Sequence, residues 1–479
     1  MADDSSFRKS LTLFDSTALV AGSMIGSGIF IVSSDIARQV GAPGWLLMVW
    51  LITGILTIFA ALGYGELAGM FPKAGGQYVY LKEAYNPLTG FLYGWTLFLV
   101  IQTGTIAAVA MAFAKFLGVI LPWISESVTW IRIGFFKFGP VQVVAIASLA
   151  FLTWINTRGI TAGKRVQNGF TSIKVILLAG FIIIGLGFTS HTGSWEINRK
   201  VFWEATQISD GEIISLSGFT LIAAIGMAMV GSLFSSDAWN NITFTAGEVV
   251  NPRKNIPLSL ALGTLIVTIL YLLTNLVYIT ALPLRGTSGS DDVISSGMQY
   301  ATDDRLATAA IHGIFRSYAA VIMAGFIVIS TFGCNNGLIL SGARVYFAMA
   351  RDDTFFRKAG ELNSRGVPRN GLILQGIWAS LLCLSGTYSQ LLDYVIFAVL
   401  IFYVLTIAGL FILRIRKPGL ERPYKAFGYP IIPGIYILLA LLIMVILLIY
   451  KPLYTWPGVG IVVLGIPVFY LWRRKKDAR

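Results

Sequence analysis

The stretch Ala18-Leu-Val-Ala-Gly-Ser-Met-Ile-Gly-Ser-Gly-Ile-Phe-Ile31 lies inside the first long apolar run of the chain. An apolar helix of about 20 residues crosses the hydrocarbon core of a bilayer, and Gly26-Ser-Gly28 stands near the middle of this run. Because glycine disfavours helix by about 1 kcal/mol relative to alanine, the stretch predicts a helix that is broken within the membrane. The alternative interpretation is close helix packing through small residues, which suits Gly22 and Gly26.

A second stretch, Ile225-Gly-Met-Ala-Met-Val-Gly-Ser-Leu-Phe-Ser-Ser-Asp-Ala-Trp-Asn-Asn-Ile-Thr243, is interrupted in the middle by polar residues. Polar side chains are costly where they face lipid, so we expect them to line a cavity enclosed by protein. The two interrupted helices come early in each of two successive halves of five spans. This arrangement indicates a secondary transporter built as an inverted repeat.

The composition of the whole chain agrees with lipid as its main solvent. Of the 479 residues, 56% are hydrophobic and 12% are charged, about half the charged fraction of a soluble domain. We therefore predict an all-α polytopic membrane protein with 12 transmembrane helices. The predicted spans are 13–38, 44–70, 88–121, 139–157, 168–189, 213–247, 257–281, 308–349, 371–387, 390–414, 429–450 and 456–472.

The distribution of Lys and Arg predicts the orientation. If both termini are cytoplasmic, most of these basic residues fall on the cytoplasmic side, as the positive-inside rule requires. The chain is then a single transmembrane transporter domain in the plasma membrane or cell inner membrane. Its predicted parts are the cytoplasmic N-terminus 1–12, the first inverted repeat 13–189, the second inverted repeat 213–414, two additional helices 429–472 and the cytoplasmic tail 473–479.

Several classes of function are disfavoured by the residue types present. Two histidines and two cysteines are too few for the usual zinc, haem or iron–sulfur enzymes, so no cofactor and no metal is expected. The basic cluster Arg473–Arg479 is interpreted as an anchor near anionic headgroups and not as a nucleic-acid tail. We expect a transporter and not an enzyme.

Two helix breaks that face each other provide groups that bind a zwitterion. Free N–H groups at a helix start attract a carboxylate, and free carbonyls at a helix end accept hydrogen bonds from an ammonium group. The N–H groups expected to bind the carboxylate belong to Ser27, Gly28 and Ile29. The carbonyls expected to bind the ammonium belong to Phe234, Ser235 and Ser236. An amino acid, which carries both charges, is the expected substrate.

Three side chains near these breaks each have two interpretations. Asp237 either pairs with a substrate cation or caps a helix that begins at Ala238. Phe234 is either a movable gate over the site or plain packing. Lys174 either snorkels to the interface or bridges carbonyls of the first and eighth spans. Asn240 and Asn241 are expected to line the cavity.

Five motifs in the expected order resemble the L-type amino acid transporter (LAT) branch of the amino acid-polyamine-organocation (APC) superfamily. The resemblance covers nearly the whole chain. The motifs are Ile25-Gly-Ser-Gly-Ile-Phe30, Tyr64-Gly-Glu-Leu67 with Phe71-Pro-Lys-Ala-Gly-Gly-Gln-Tyr78, Phe234–Asn241, Gly247-Glu-Val-Val-Asn-Pro-Arg-Lys-Asn-Ile-Pro257, and Ser341-Gly-Ala-Arg-Val-Tyr-Phe-Ala-Met-Ala-Arg-Asp352.

The resemblance implies a fold of five plus five inverted repeats, with broken helices 1 and 6 and two extra helices, and transport by alternating access. It also implies roles for individual residues. Family equivalents of Ile25, Ser27 and Gly28 hold the substrate carboxylate, and those of Phe234, Ser235 and Asp237 hold the amine and close over it. The substrate-binding set is therefore Ile25, Gly26, Ser27, Gly28, Ile29, Phe234, Ser235, Ser236, Asp237, Asn240 and Asn241, with Phe234 as the gate.

Three further expectations come from the resemblance. An aspartate at the position of Asp237 resembles members that accept cationic as well as neutral amino acids. A lysine at the position of Lys174 resembles the family feature that occupies the sodium site of related folds, which implies sodium-independent transport. Animal members pair with a heavy subunit through a cysteine between spans 3 and 4, and Leu121–Val141 contains none. No disulfide-linked heavy subunit is therefore expected.

We accordingly predict a sodium-independent exchanger (antiporter) of neutral and cationic L-amino acids. The alternative within transport is a proton-coupled symporter that uses Glu66, Asp237 or Lys174. Otherwise Glu66, near the end of span 2, and Glu248, at the end of span 6, are expected to form cytoplasmic salt bridges. Alternatives from other classes are a channel, which would need a ring of like residues around a pore, and an amino acid sensor without transport.

Overall fold

The computed structural model describes residues 7–125, 128–134, 136–189, 193–209, 212–290, 292–385 and 388–477. It is mostly helical. The helices are α1 (Leu13–Met24), α2 (Val32–Val40), α3 (Pro43–Met70), α4 (Gln77–Ala84), α5 (Pro87–Thr96), α6 (Gln102–Ile120), α7 (Pro140–Thr157), α8 (Ile160–Thr189), α9 (Ser194–Lys200), α10 (Gly218–Ser235), α11 (Asn241–Phe244), α12 (Pro252–Ala281), α13 (Val293–Ser296), α14 (Leu306–Phe315), α15 (Ala319–Arg351), α16 (Arg369–Cys383), α17 (Tyr388–Arg416), α18 (Ile431–Tyr450) and α19 (Pro452–Asp477).

Shorter elements connect these helices. A π-helical turn, Leu97–Ile101, joins α5 to α6, so that 87–120 is one continuous span. The 3-10 turns are Gly28–Phe30, Ala246–Glu248, Thr302–Asp304, Arg316–Tyr318 and Arg357–Gly360. Two antiparallel hairpins pair β1 (Ile131–Ile133) with β2 (Phe136–Phe138) and β3 (Thr206–Ser209) with β4 (Glu212–Ser215).

In the described part of the chain, ten helical segments are long and apolar enough to cross a membrane. They are 43–70, 87–120, 140–157, 160–189, 218–235, 252–281, 306–351, 395–416, 431–450 and 455–473. The prediction of a polytopic helical membrane protein is confirmed. The first predicted span is absent from this set because it is divided into α1 and α2, and the ninth because α16 has only 15 residues. The total of twelve spans stays a prediction.

The broken first helix lies at the centre of the helical packing. The segment α1 packs against α8, α12 and α15, and α2 packs against α10. Large apolar side chains on outer helix faces are exposed, for example Ile183 (72%) and Leu438 (69%). Such exposure is unfavourable in water but normal against lipid tails.

Ion pairs connect the ends of different helices on the side predicted to be cytoplasmic. Arg344 donates to both carboxylate oxygens of Glu248 at 2.9 and 3.0 Å, and both side chains are 1% exposed. Glu66 accepts bonds from Arg414 at 2.6 and 2.9 Å and from the backbone N–H of Ala426 at 2.7 Å. The expectation that Glu66 and Glu248 form ion pairs is confirmed. Removal of one partner from a buried pair typically costs about 3–5 kcal/mol.

Candidate functional site

All the predicted site residues are buried in the structure. They are Ile25, Gly26, Ser27, Gly28, Ile29, Lys174, Phe234, Ser235, Ser236, Asp237, Asn240 and Asn241. The structure brings most of them together around two interruptions of the helical backbone.

The first interruption separates α1 from α2. Helix α1 ends at Met24, and Ile25 adopts an extended conformation with φ −76° and ψ 95°. The chain then forms the 3-10 turn Gly28–Phe30, in which the N–H groups of Phe30 and Ile31 donate to carbonyls of Ser27 and Gly28 at 3.1 and 3.0 Å. The N–H groups of Gly28 and Ile29 thus lie at the start of a turn, where a helix has no internal acceptors for them.

The second interruption separates α10 from α11. Helix α10 ends at Ser235, and Ala238 has φ 64°, a left-handed conformation that is uncommon for a residue with a side chain. The helix resumes only at Asn241. A polar, kinked segment therefore replaces helix in the middle of the predicted sixth span.

The two interruptions are in direct contact through Gly28 and Ser235. A Cβ atom added to Gly28 would lie 2.1 Å from the hydroxyl oxygen of Ser235 and 3.3 Å from its Cα. No other residue type fits at this approach without displacing one of the two segments. The Tyr271 hydroxyl, on α12, lies 3.0 Å from the carbonyl oxygens of both Met24 and Ser235. Tyr271 could not be recognised from the sequence, because it is one of two tyrosines in an apolar helix.

Lys174 is entirely buried and is bonded to the end of α1. Its Nζ atom donates to the carbonyls of Gly22 at 2.5 Å and Ile25 at 2.8 Å. The snorkelling interpretation is wrong. Of the expected bridge, the bonds to carbonyls of the first span are confirmed, but among the described residues no carbonyl of the eighth span accepts a bond from Lys174. Both acceptors belong to the first span, because the last turn of α1 leaves its carbonyls without helical N–H partners.

The eighth span contributes side chains to this region instead of carbonyls. From α15, the Ser330 hydroxyl lies 2.9 Å from the Gly26 carbonyl and 3.2 Å from the Ile25 carbonyl. The Cys334 thiol lies 3.0 Å from the carbonyl of Ser23. The end of α1 is therefore held by donors from both α8 and α15.

Asp237 faces the tenth predicted span. The hydroxyl of Tyr403, on α17, donates to its Oδ1 at 2.5 Å. Asp237 does not cap a helix that begins at Ala238, because helix resumes at Asn241 and its N-cap residue is Asn240, without a side-chain bond. The capping interpretation is therefore wrong. Tyr403 was missed because an aromatic residue within an apolar run carries no signal that distinguishes a hydrogen-bonding hydroxyl from packing.

Aromatic rings surround this carboxylate. Trp239 packs edge-on against Tyr64, with ring centroids 4.8 Å apart, and lies 5.3 Å from the ring of Tyr403. Rings with a negative face are favourable neighbours for a cation.

The two asparagines have different environments. The Asn240 amide donates to Gln77 at 2.9 Å, and Gln77 donates to the hydroxyl of Thr406 at 3.0 Å. Asn240 thus joins the second interruption to the start of α4 and to α17. In contrast, the amide nitrogen of Asn241 is buried without a hydrogen-bond partner among the described residues. Gln77 lies in a motif quoted above, but its partners could not be read from the sequence.

Two small cavities flank Asp237. Each has a volume of about 20 Å³, which is room for a water molecule. Ser236, Trp239 and Tyr403 line the first cavity, and Asn240 and Asn241 are in the wall of the second. The residues Ile25–Ile29, by contrast, line neither cavity. Beside Asp237 the two interruptions are therefore packed closely, with room only for water-sized molecules.

The described residues include no group of three or more His, Cys, Asp or Glu side chains that could hold a metal ion. His191 lies outside the described residues. The polar chemistry of the centre is supplied instead by the backbone, by Asp237, by Lys174 and by hydroxyl groups.

A polytopic helical membrane protein with buried, polar helix interruptions has the architecture typical of secondary transporters. The comparison with protein families identifies it more closely. The amino acid permease model matches residues 11–470, so the chain belongs to the amino acid permease family, in the LAT branch of the APC superfamily. The resemblance inferred from the motifs is confirmed. This family consists of transporters and not of enzymes.

Curated relatives agree with this assignment. The chain is 28% identical to the mouse b(0,+)-type amino acid transporter 1 over 466 residues, 97% of this chain and 88% of the relative. It is 29% identical to the human large neutral amino acids transporter small subunit 2 over 472 residues, 98% and 82% of the two chains. It is 28% identical to the mouse Asc-type amino acid transporter 1 over 480 residues, with coverages of 98% and 82%.

Proposed function

We propose that this protein is a sodium-independent exchanger of neutral and cationic L-amino acids that works by alternating access. The family and the named relatives support amino acid transport. In this proposal the segments 13–189 and 213–414 are two inverted repeats of five spans, 429–472 forms two additional helices, and both termini are cytoplasmic. The interruptions of the first and sixth spans then occupy matching positions in the two repeats.

The proposed substrate site lies between the two interruptions. The N–H groups of Ser27, Gly28 and Ile29 would bind the carboxylate, and carbonyls of Phe234 and Ser235 would bind the ammonium. The observation that carries this proposal is the contact of Gly28 with Ser235, because it brings backbone donors and acceptors from two broken helices within one ligand's reach. The remaining members of the proposed set, Ile25, Gly26, Ser236, Asp237, Asn240 and Asn241, surround these groups, and Phe234 closes over them.

Tyr271 has a defined part in this scheme. Its hydroxyl already lies 3.0 Å from the Ser235 carbonyl that would accept a hydrogen bond from the substrate ammonium. When the two interruptions separate to admit an amino acid, the substrate ammonium would replace the Tyr271 hydroxyl as a donor to the Ser235 carbonyl. The hydroxyl therefore satisfies a buried carbonyl in the closed state, which would otherwise carry a desolvation cost of about 1–3 kcal/mol.

We expect Asp237→Asn to weaken cationic substrates more than neutral ones. The substitution removes the negative charge but keeps the size and an acceptor for Tyr403, so only the electrostatic attraction to a substrate cation is lost. A hydrogen bond to a charged group contributes about 1.5–3 kcal/mol, so lysine and arginine affinities should fall about tenfold or more. Competition binding with lysine, arginine, alanine and leucine measures this difference.

The matched control is Tyr403→Phe, which removes the hydrogen bond to Asp237 and keeps the charge. This variant should shift affinities for neutral and cationic substrates by similar factors. Equal losses for both substrate classes in Asp237→Asn would contradict the proposed role of the carboxylate.

Counterflow in proteoliposomes tests the exchange mechanism itself. We expect uptake of labelled amino acid to depend on unlabelled amino acid inside the vesicle and to be the same in sodium and choline buffers. A proton gradient should have little effect, since Glu66 is tied to Arg414, Arg422 and the N–H of Ala426. Uptake that requires the gradient and ignores internal amino acid would identify a proton-coupled symporter instead.

The purified single chain is the appropriate sample for this experiment. The loop 121–141 contains no cysteine, and we propose that transport needs no disulfide-linked heavy subunit. We expect the chain alone to exchange amino acids in vesicles. The proposed location of the protein is the plasma membrane or cell inner membrane.

A further inference from the structure

Two buried polar groups face the second of the cavities beside Asp237. The hydroxyl of Tyr93, on α5, and the amide nitrogen of Asn241, on α11, have no hydrogen-bond partner among the described residues. Both residues belong to the wall of this cavity, and they are only 2% and 1% exposed. Because a buried polar group without a hydrogen bond is unfavourable, each of them needs a partner that the cavity can hold.

The other amide and hydroxyl side chains of this wall already have partners within the protein. Gln102 and Thr105 each donate to a backbone carbonyl, at 2.7 and 2.6 Å. Asn240 donates to Gln77, and Tyr403 donates to the carboxylate of Asp237. The unmet hydrogen-bonding capacity of the wall is therefore concentrated in the two groups named above.

The chemistry of the wall defines what the cavity can hold. The amide nitrogen of Asn241 only donates, so the occupant must accept a hydrogen bond. An ionised carboxylate such as that of Asp237 only accepts, at about four positions, and Tyr403 uses one of them. The occupant must therefore also donate, and it must fit in about 20 Å³. Water meets all three conditions, and a buried water typically makes about three hydrogen bonds.

We propose that this cavity holds an ordered water molecule that accepts a hydrogen bond from Asn241, bonds to the hydroxyl of Tyr93 and donates to the carboxylate of Asp237. We propose further that this water allows the site to accept neutral amino acids. The inference rests on the proposed function, in which Asp237 attracts a substrate cation.

The water matters most when the substrate brings no charge of its own to the carboxylate. A buried carboxylate needs hydrogen-bond donors in place of bulk water. A lysine or arginine substrate supplies them through its side-chain N–H groups, which take the place of the water. An alanine or leucine substrate supplies none, so the water remains as a donor in addition to Tyr403. Tyr93 and Asn241 are thus positioning residues that act through the water.

Competition binding to the purified full-length protein tests this proposal. Tyr93→Phe and Asn241→Leu each remove one group that holds the water. We expect each variant to bind alanine and leucine about tenfold more weakly, which is the effect of one hydrogen bond to a charged group, and lysine and arginine less than about threefold more weakly. This order is the reverse of the one expected for Asp237→Asn. Equal losses, no losses or larger losses for the cationic substrates would overturn the proposal.

Tyr346→Phe is the matched control. The hydroxyl of Tyr346 is also buried without a partner in the part of the chain that the structure describes, but Tyr346 lines neither of the two cavities beside Asp237. This variant should keep all four affinities and melt no lower than the unmodified protein. Tyr93→Phe should melt lower without substrate, because it breaks a bond of the water. A Tyr93→Phe protein that melts no lower would contradict the bound water.

Combination with Asp237→Asn separates this proposal from the proposed function. Without the charge the water has no carboxylate to serve, so Tyr93→Phe added to Asp237→Asn should not change the ratio of neutral to cationic affinities further. A further change would overturn the link between the water and the carboxylate. If Asp237→Asn alone weakens both substrate classes equally, the proposed role of Asp237 fails and the inference fails with it. If Asp237→Asn behaves as expected and Tyr93→Phe leaves the ratio unchanged, only the inference fails.

Discussion

Gly28→Val is expected to abolish amino acid binding. The valine side chain would occupy space that the hydroxyl of Ser235 already fills, 2.1 Å from the position of the added Cβ. It would also cover the N–H groups of Gly28 and Ile29, which we propose as donors to the substrate carboxylate. Loss of two bonds to a charged group lowers affinity by about a hundredfold or more. Scintillation proximity binding with a neutral amino acid measures the effect.

Two additional variants separate loss of the site from loss of packing. Gly180→Val, where an added Cβ has no neighbour within 4 Å, should bind normally. The double variant Gly28→Ala, Ser235→Gly removes the overlap between the added Cβ and the Ser235 side chain. We expect this double variant to be monodisperse and well folded. A Gly28→Val protein that folds and keeps its affinity for neutral amino acids would refute the assignment of the carboxylate site.

Lys174→Met is expected to cause the second large loss, in both exchange rate and stability. Methionine fills similar space but donates nothing, so the carbonyls of Gly22 and Ile25 lose their bonds to the ammonium. Each bond to a charged group contributes about 1.5–3 kcal/mol. We expect exchange in proteoliposomes to fall at least about tenfold, with a clear decrease in melting temperature.

Lys358→Met provides the matched control, because Lys358 is exposed on the 3-10 turn Arg357–Gly360. It should retain full exchange and the same melting temperature. For the unmodified protein, replacement of sodium by choline should not alter the rate. Unchanged exchange in Lys174→Met would show that the ammonium is not needed to hold the end of α1.

Local sequence features were sufficient to predict the helices and the two interruptions. Hydrophobic runs of about 20 residues predict the membrane-spanning helices. The stretches Gly26-Ser-Gly28 and Ser235–Asp237 predict the interruptions, because their own residues disfavour helix. The ion pairs of Glu66 and Glu248 were also anticipated, because charges near helix ends in a membrane protein require partners. Their individual partners, Arg414 and Arg344, were not predicted.

Predictions failed where an outcome depended on contacts between distant parts of the chain. One of the two interpretations of Asp237, a cap on a helix from Ala238, was wrong because the sequence does not show where the helix resumes. Lys174 was assigned one acceptor on the wrong span, since carbonyl groups are present at every residue and only their positions in space distinguish them.

The sequence by itself determined that the chain is a polytopic membrane protein of the amino acid permease family with breaks near residues 27 and 236. Only the tertiary structure decided that Gly28 meets Ser235, that Tyr403 donates to Asp237 and that Tyr271 joins Met24 to Ser235. The physical reason is the separation along the sequence over which each effect acts. Hydropathy and helix propensity act within a few turns, whereas the bond from Tyr271 to Met24 spans 247 positions of sequence. Such a partner is fixed by helix packing, which no local pattern of residues encodes.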